Sequence, residues 1–169
     1  MIKTIPTFIK PGRMLYWRLV SVLVILWLTA GYSLAGFNIM KLHDVEAQAG
    51  DTITIKLEII NEEDFIGFNL DIPLPADFQY VEGSEQLYRD DGHYFTFGIR
   101  EGNVARMLSV SMQSKPFAGH DGIIASFDVI SPRVPVNLSL SADNAVIGNV
   151  SARNILTSTI DAGITLTPP

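Results

Sequence analysis

The chain has no cysteine. That removes a disulfide framework, a thiolate zinc site, a cysteine nucleophile and a lipidated N-terminal cysteine from consideration. Tryptophan is nearly as scarce: Trp17 and Trp27 both fall within residues 1–35, so the remainder has none to stack on a sugar ring. Positive charge is thin there too. The sequence holds 12 Lys+Arg against 18 Asp+Glu, and Lys3, Lys10, Arg13 and Arg18 lie in residues 1–35, which contain no acid. Residues 36–169 therefore carry 8 basic and 18 acidic side chains, a formal −10. Such a surface repels a phosphate backbone, so no nucleic-acid partner is expected.

Catalytic signatures are missing as well. There is no G-x-S-x-G, no P-loop, no dinucleotide-binding glycine pattern and no H-E-x-x-H. Adjacent acids such as Asp90-Asp91 and Glu62-Glu63-Asp64 read as solvated turns, because an acid/base pair needs a set separation in space. His93 and His120 each adjoin an Asp-Gly turn and read as polar turn residues rather than metal ligands. No catalytic residue, metal ligand or cofactor site is assigned, and the chain is not expected to be an enzyme.

What is present begins with an address. Leu19–Ala30 are twelve residues without a charge, preceded by Arg18, and Ser33-Leu34-Ala35 puts small residues at the −3 and −1 positions of a cleavage site. Basic head, apolar middle and small-x-small exit make residues 1–35 a signal peptide, with Met14 a second feasible start. The alternative is an uncleaved anchor, since Leu19–Ile39 gives 21 uncharged residues, enough for a bilayer core of ~30 Å. Gly31, Tyr32, Ser33, Gly36 and Asn38 make that span a poor one. Either way the rest is expected to be exported (secreted, periplasmic or cell-surface), with a membrane involved only through an uncleaved leader.

Residues 36–169 are expected to form one all-β domain, a length that suits a single hydrophobic core. Thr52–Ile59 alternates polar and apolar at period two, and Phe68, Leu70, Ile72 and Leu74 repeat the pattern with Asn69, Asp71 and Pro73 facing the other way. Further runs fall at Ile39–Leu42, Phe78–Val81, His93–Ile99, Val104–Val110, Gly122–Ile130 and Val136–Ile147, and a last strand ends at the C-terminus. Turn-forming clusters separate them, for example Ala49-Gly50-Asp51 and Glu101-Gly102-Asn103. Eight or nine short strands, each with one buried and one solvated face, predict an antiparallel jelly-roll β-sandwich.

Three segments carry a family resemblance. Ala49-Gly50-Asp51-Thr52-Ile53-Thr54-Ile55 with Ile59-Ile60-Asn61 is similar to a G-[DE]-T-V-x-V…N opening. Ile66-Gly67-Phe68-Asn69-Leu70-Asp71-Ile72-Pro73-Leu74-Pro75 is similar to a G-F-x-F-x-[IL] strand. Gly119–Val129 is similar to a G-x-G-x-[IL]-x-x-[IL]-x-F hairpin. In this order they resemble the cohesin family, the sandwich modules that hold dockerins, and in particular the compact cohesin-like domains of Bacteroidetes proteins. Carbohydrate-binding modules share much of the pattern. The resemblance implies that the outward residues of the second segment, Asn69 and Asp71, contact a dockerin-like module or another surface protein. The alternative is a carbohydrate-binding module linked to polysaccharide use, with Tyr88 and Tyr94 as candidate contacts. Phe95 and Phe97, alternating with Tyr94, are expected in the core. A third reading is a structural subunit of a surface assembly held by strand addition at a sheet edge.

Overall fold

The alternation of Thr52–Ile59 buries Ile53, Ile55, Leu57 and Ile59 and leaves Thr52, Thr54 and Lys56 in solvent. The same logic organises the whole computed structural model, which describes residues 36–169; the leader, cleaved or retained, lies outside the described residues. In chain order the strands are β1 (Asn38–Leu42), β2 (Val45–Gln48), β3 (Thr52–Asn61), β4 (Gly67–Pro73), β5 (Gln79–Tyr80), β6 (Gln86–Leu87) and β7 (Tyr94–Arg100). They continue as β8 (Val104–Val110), β9 (Ile123–Ile130), β10 (Val136–Leu140), β11 (Asp143–Gly148), β12 (Ser158–Ile160) and β13 (Ala162–Thr167).

One sheet runs β12-β1-β3-β9, with β5 and β6 pairing along β9; a second runs β11-β4-β8-β7; a third, β10-β13-β2, is shorter. Pairing is antiparallel except where the two ends of the domain meet. There β1 lies parallel to β12 and β2 parallel to β13. Each of those paths kinks once, at His43-Asp44 and at Asp161, and the kinks are tied by Gly163 N–H donating to Asp44 Oδ1 at 2.7 Å. Counting each kinked path as one strand leaves eleven segments against the expected eight or nine; β6 and the division of the Val136–Ile147 run make the difference. The fold is an all-β sandwich.

The core lies between the six- and four-stranded sheets. Phe97 of β7 meets Phe127 of β9 with ring centroids 4.9 Å apart, and Tyr80 packs on Phe97 at 4.8 Å. Phe95 and Phe97 pack against the core as expected. The inward side chains of β4, Phe68, Leu70 and Ile72, are buried, each worth about 1.5–3 kcal/mol of transfer free energy.

Three expectations need correction. The run Val136–Ile147 is two strands, because pairing breaks at Ser141-Ala142, with Ala142 buried, and the chain leaves the short sheet for the four-stranded one. Strands β2, β6 and β12 fall outside the expected runs: β6 and β12 have only two and three residues, and the alternation of β2 lasts only four. His93 is not a solvated turn residue: it is 8% exposed, and its ring stacks on Phe117 at 3.6 Å.

Arg89 ties the loop before β9 to the sandwich. Its Nε donates to Ala118 O, Nη1 to Ile59 O and Gly122 O, and Nη2 to Asn61 Oδ1 and Gly119 O. All five guanidinium N–H groups are thereby used on uncharged oxygens. Burial pulls its pKa below the ordinary arginine value, while Asp121 and Glu58 act the other way.

Candidate functional site

The resemblance singles out β4, so the site is built outward from it. Period-two alternation sends Asn69 and Asp71 to the outer side of the four-stranded sheet, opposite the core side chains. Register fixes their neighbours. Asn69 faces Leu108 on one side and Val146 on the other, and Leu108 in turn faces Thr96. Asp71 faces Arg106, which faces Gly98. At the far end Gly67 faces Val110, which faces Tyr94. The outer face is thus a mixed surface of Val146, Leu108, Val110 and Tyr94 beside a polar row of Asp71, Arg106 and Asn144.

Asp71 is not a free acceptor. Arg106 Nε donates to its Oδ1 at 2.6 Å and Nη2 to its Oδ2 at 2.5 Å, while Asn144 Nδ2 donates to Oδ2 at 2.9 Å. The side chain is 6% exposed against 40% for Arg106. Arg106 holds the Asp71 carboxyl below the usual carboxylate range, helped by Asn144 and opposed by burial. Asp71 in turn raises the Arg106 pKa. Asn144 reaches this position because β11 bulges between Asp143 and Val146, with Asn144 at φ 49°, a conformation that asparagine tolerates better than most residues. The bulge also sets the Asn144 carbonyl to accept from Asn69 Nδ2 at 3.1 Å. Asn69 and Asp71 are therefore brought into one network through Asn144.

Beside Arg106 the sheet is dented. A depression of about 420 Å³ is lined by Asn69, Thr96, Gly98, Arg100, Arg106 and Leu108 among others. Its origin is Gly98: a Cβ built there meets nothing within 4 Å. Glycine inside a strand weakens it and often marks a close approach by a ligand or another backbone. Gly98, Arg100, Arg106 and Asn144 were not among the residues the sequence singled out. The available signal was the glycine breaking the alternation of Tyr94–Ile99; the arginines gave none without the register.

The two tyrosines are not brought together. Tyr94 is 59% exposed on the outer side of the four-stranded sheet. Tyr88 follows β6 and shares a hydrogen bond with Ser126 Oγ at 3.1 Å. Ser126 pairs with exposed Lys56 on the outer side of the six-stranded sheet. They stand on opposite surfaces of the sandwich and do not form one aromatic row. Among the described residues no three His, Cys, Asp or Glu side chains cluster as a metal site would require.

No protein-family model matches the sequence, and no curated protein matches it. Solved structures do match its fold. A non-cellulosomal cohesin of the archaeon Archaeoglobus fulgidus is 17% identical, covering 78% of this chain and 91% of its own, at a TM-score of 0.66. A cohesin from a type I cohesin–dockerin complex of Clostridium thermocellum is 13% identical, covering 79% and 95%, at 0.68. The cohesin module of a family 33 glycoside hydrolase of Clostridium perfringens is 15% identical, covering 80% and 98%, at 0.63. At these identities the likeness is one of architecture, and its conclusion is that residues 36–169 have the cohesin fold.

Proposed function

We propose that this chain is an exported, non-catalytic interaction module that binds a dockerin-type protein on the outer face of the β11-β4-β8-β7 sheet. The observation that carries this reading is the fold. It is shared over 95% and 99% of their lengths by cohesins solved together with dockerins, from Clostridium thermocellum and Acetivibrio cellulolyticus. The face itself supports it, being a sheet surface with apolar side chains beside anchored polar ones, as protein interfaces are. Asn69 contacts the partner directly, and Asp71 acts by fixing Arg106. Export rests on the signal-like residues 1–35.

The test is affinity capture with the tagged full chain, expressed in its source organism, from envelope and culture fluid. The Asn69→Ala/Asp71→Ala variant serves as the control. A partner bound by the parent chain and lost by the variant supports the reading. Retention on a polysaccharide panel with no protein partner contradicts it and moves the function to glycan binding through exposed Tyr94 or Tyr88.

A further inference from the structure

Two of the domain's few cations, Arg100 and Arg106, share the dent beside Gly98. Residues 36–169 hold only 8 basic side chains against 18 acidic ones. Among those 8, Lys41 pairs with Glu58, Lys115 pairs with Asp91, and Arg89 is consumed by its five hydrogen bonds. Arg100 and Arg106 line one depression together. Arg106 faces Gly98 directly and Arg100 diagonally, a separation of roughly 7–8 Å between backbones. Asp71 occupies Nε and Nη2 of Arg106 but not Nη1. Among the described residues, Nη1 of Arg106 and the whole guanidinium of Arg100 have no hydrogen-bond or ion-pair partner.

An arginine whose inner edge is clamped by a carboxylate is pre-organised, because less side-chain freedom remains to be lost when its outer N–H groups bind. A second arginine across a strand position without a side chain leaves room for a short acidic group to enter between them. Asn69 and Thr96 add neutral polar groups at the rim. The chemistry fits a carboxylate, which takes two or more charge-assisted hydrogen bonds from guanidinium groups.

We propose that the depression beside Gly98 is a subsite for one aspartate or glutamate side chain of the docked protein, received between Arg100 and Nη1 of Arg106. This inference rests on the docking reading above and gives it a partner chemistry: the contacting segment carries an acid. Asp71 is then a positioning residue, holding Arg106 in place, and the contacts on the partner's acid are made by the arginines.

The probe is an alanine-based helical peptide with one central glutamate, with the same peptide carrying glutamine as control. Each is titrated into the protein, purified as its source processes it, and followed by the amide signals of Thr96, Gly98 and Arg100 and the Nε–H signals of both arginines. The glutamate peptide binds about tenfold tighter than the glutamine one, as expected for a charge-assisted pair. Arg100→Gln removes the difference, and Gly98→Leu, which fills the dent, removes binding. Should Gly98→Leu not fold, the surface variant Arg100→Gln still decides. Equal response to both peptides overturns the inference. Arg100-dependent binding of polygalacturonate with none of the glutamate peptide also overturns it, in favour of an acidic glycan.

Capture of a cellular partner separates this subsite from the docking reading. Capture lost with Leu108→Glu but unchanged with Arg100→Gln keeps the docking face and removes the carboxylate subsite. Capture indifferent to both removes the docking face itself.

Discussion

Arg106 grips both carboxylate oxygens of Asp71, Nε to Oδ1 at 2.6 Å and Nη2 to Oδ2 at 2.5 Å. The two residues therefore act as one unit on the outer face. Substitutions of coupled residues are not additive. Asp71→Asn is expected to weaken binding of the proposed partner in the parent chain by releasing Arg106, and to add little in an Arg106→Gln background. Titration calorimetry on the four-member cycle checks this; additive losses contradict it. The pair also has a pH signature. Asp71 is held below its ordinary 3.8, so its contribution to stability is present above that value and is lost as pH falls through the lower folded-state pKa.

Gly67 admits no side chain. A Cβ there lies 2.7 Å from the Ser109 carbonyl oxygen and 3.3 Å from Val110 Cα, both backbone atoms that cannot rotate away. Gly67→Ala is expected to destabilise the domain by about 1–3 kcal/mol, since β4 and β8 must part to accept it. Chemical denaturation reads the loss as a lower midpoint with an unchanged slope.

Arg89→Lys keeps the charge but loses the planar fork that serves Ala118, Ile59, Gly122, Asn61 and Gly119 together. Several acceptors are orphaned, at an expected cost of about 2–4 kcal/mol. Protease cleavage within residues 118–122 is expected to accelerate in the variant. An unchanged cleavage rate contradicts the clamp.

His93 makes the domain sensitive to mild acid. Its Nδ1 accepts from the Asp91 N–H at 3.1 Å, and its buried Nε2 has no partner among the described residues. Burial lowers its pKa below the ordinary 6.5, although the Lys115 backbone, Asp90 and Asp91 pull it upward; the Lys115 charge lowers it further. The unfolded chain thus takes the proton first. Stability from this group is complete above 6.5 and falls with pH below it, until the folded-state value is passed. Thermal unfolding at about pH 7.5 and about pH 5.5 measures the slope, which His93→Gln is expected to reduce. A variant slope equal to the parent's contradicts the assignment.

The sandwich was legible because its long strands alternate. In β3, β4 and β8 every buried residue falls on one parity except Gly67 and Asp71 of β4, which belong to the outer face. Asn69 and Asp71 were placed on the outer side by that parity alone. What they touch was not legible. The grip of Arg106 on Asp71 depends on a pairing 35 residues apart, and the reach of Asn144 on a bulge 73 residues away. His93 misled because its Asp-Gly neighbours signal a turn, while its burial is decided by Phe117, distant in sequence. The break in Val136–Ile147 was hidden for a similar reason. Ser141 and Asp143-Asn144 are turn-forming types, but they sit inside one extended run, and it is sheet membership that divides it.

The central claim is that the four-stranded sheet is the docking face. It is tested most directly by site-specific photo-crosslinking in the source organism. A photoreactive residue is placed in the full chain at Thr96, exposed on that face, or at Lys56, exposed on the opposite sheet. A single protein crosslinked from position 96 and not from 56 is the predicted result. Crosslinking from position 56 alone would contradict it.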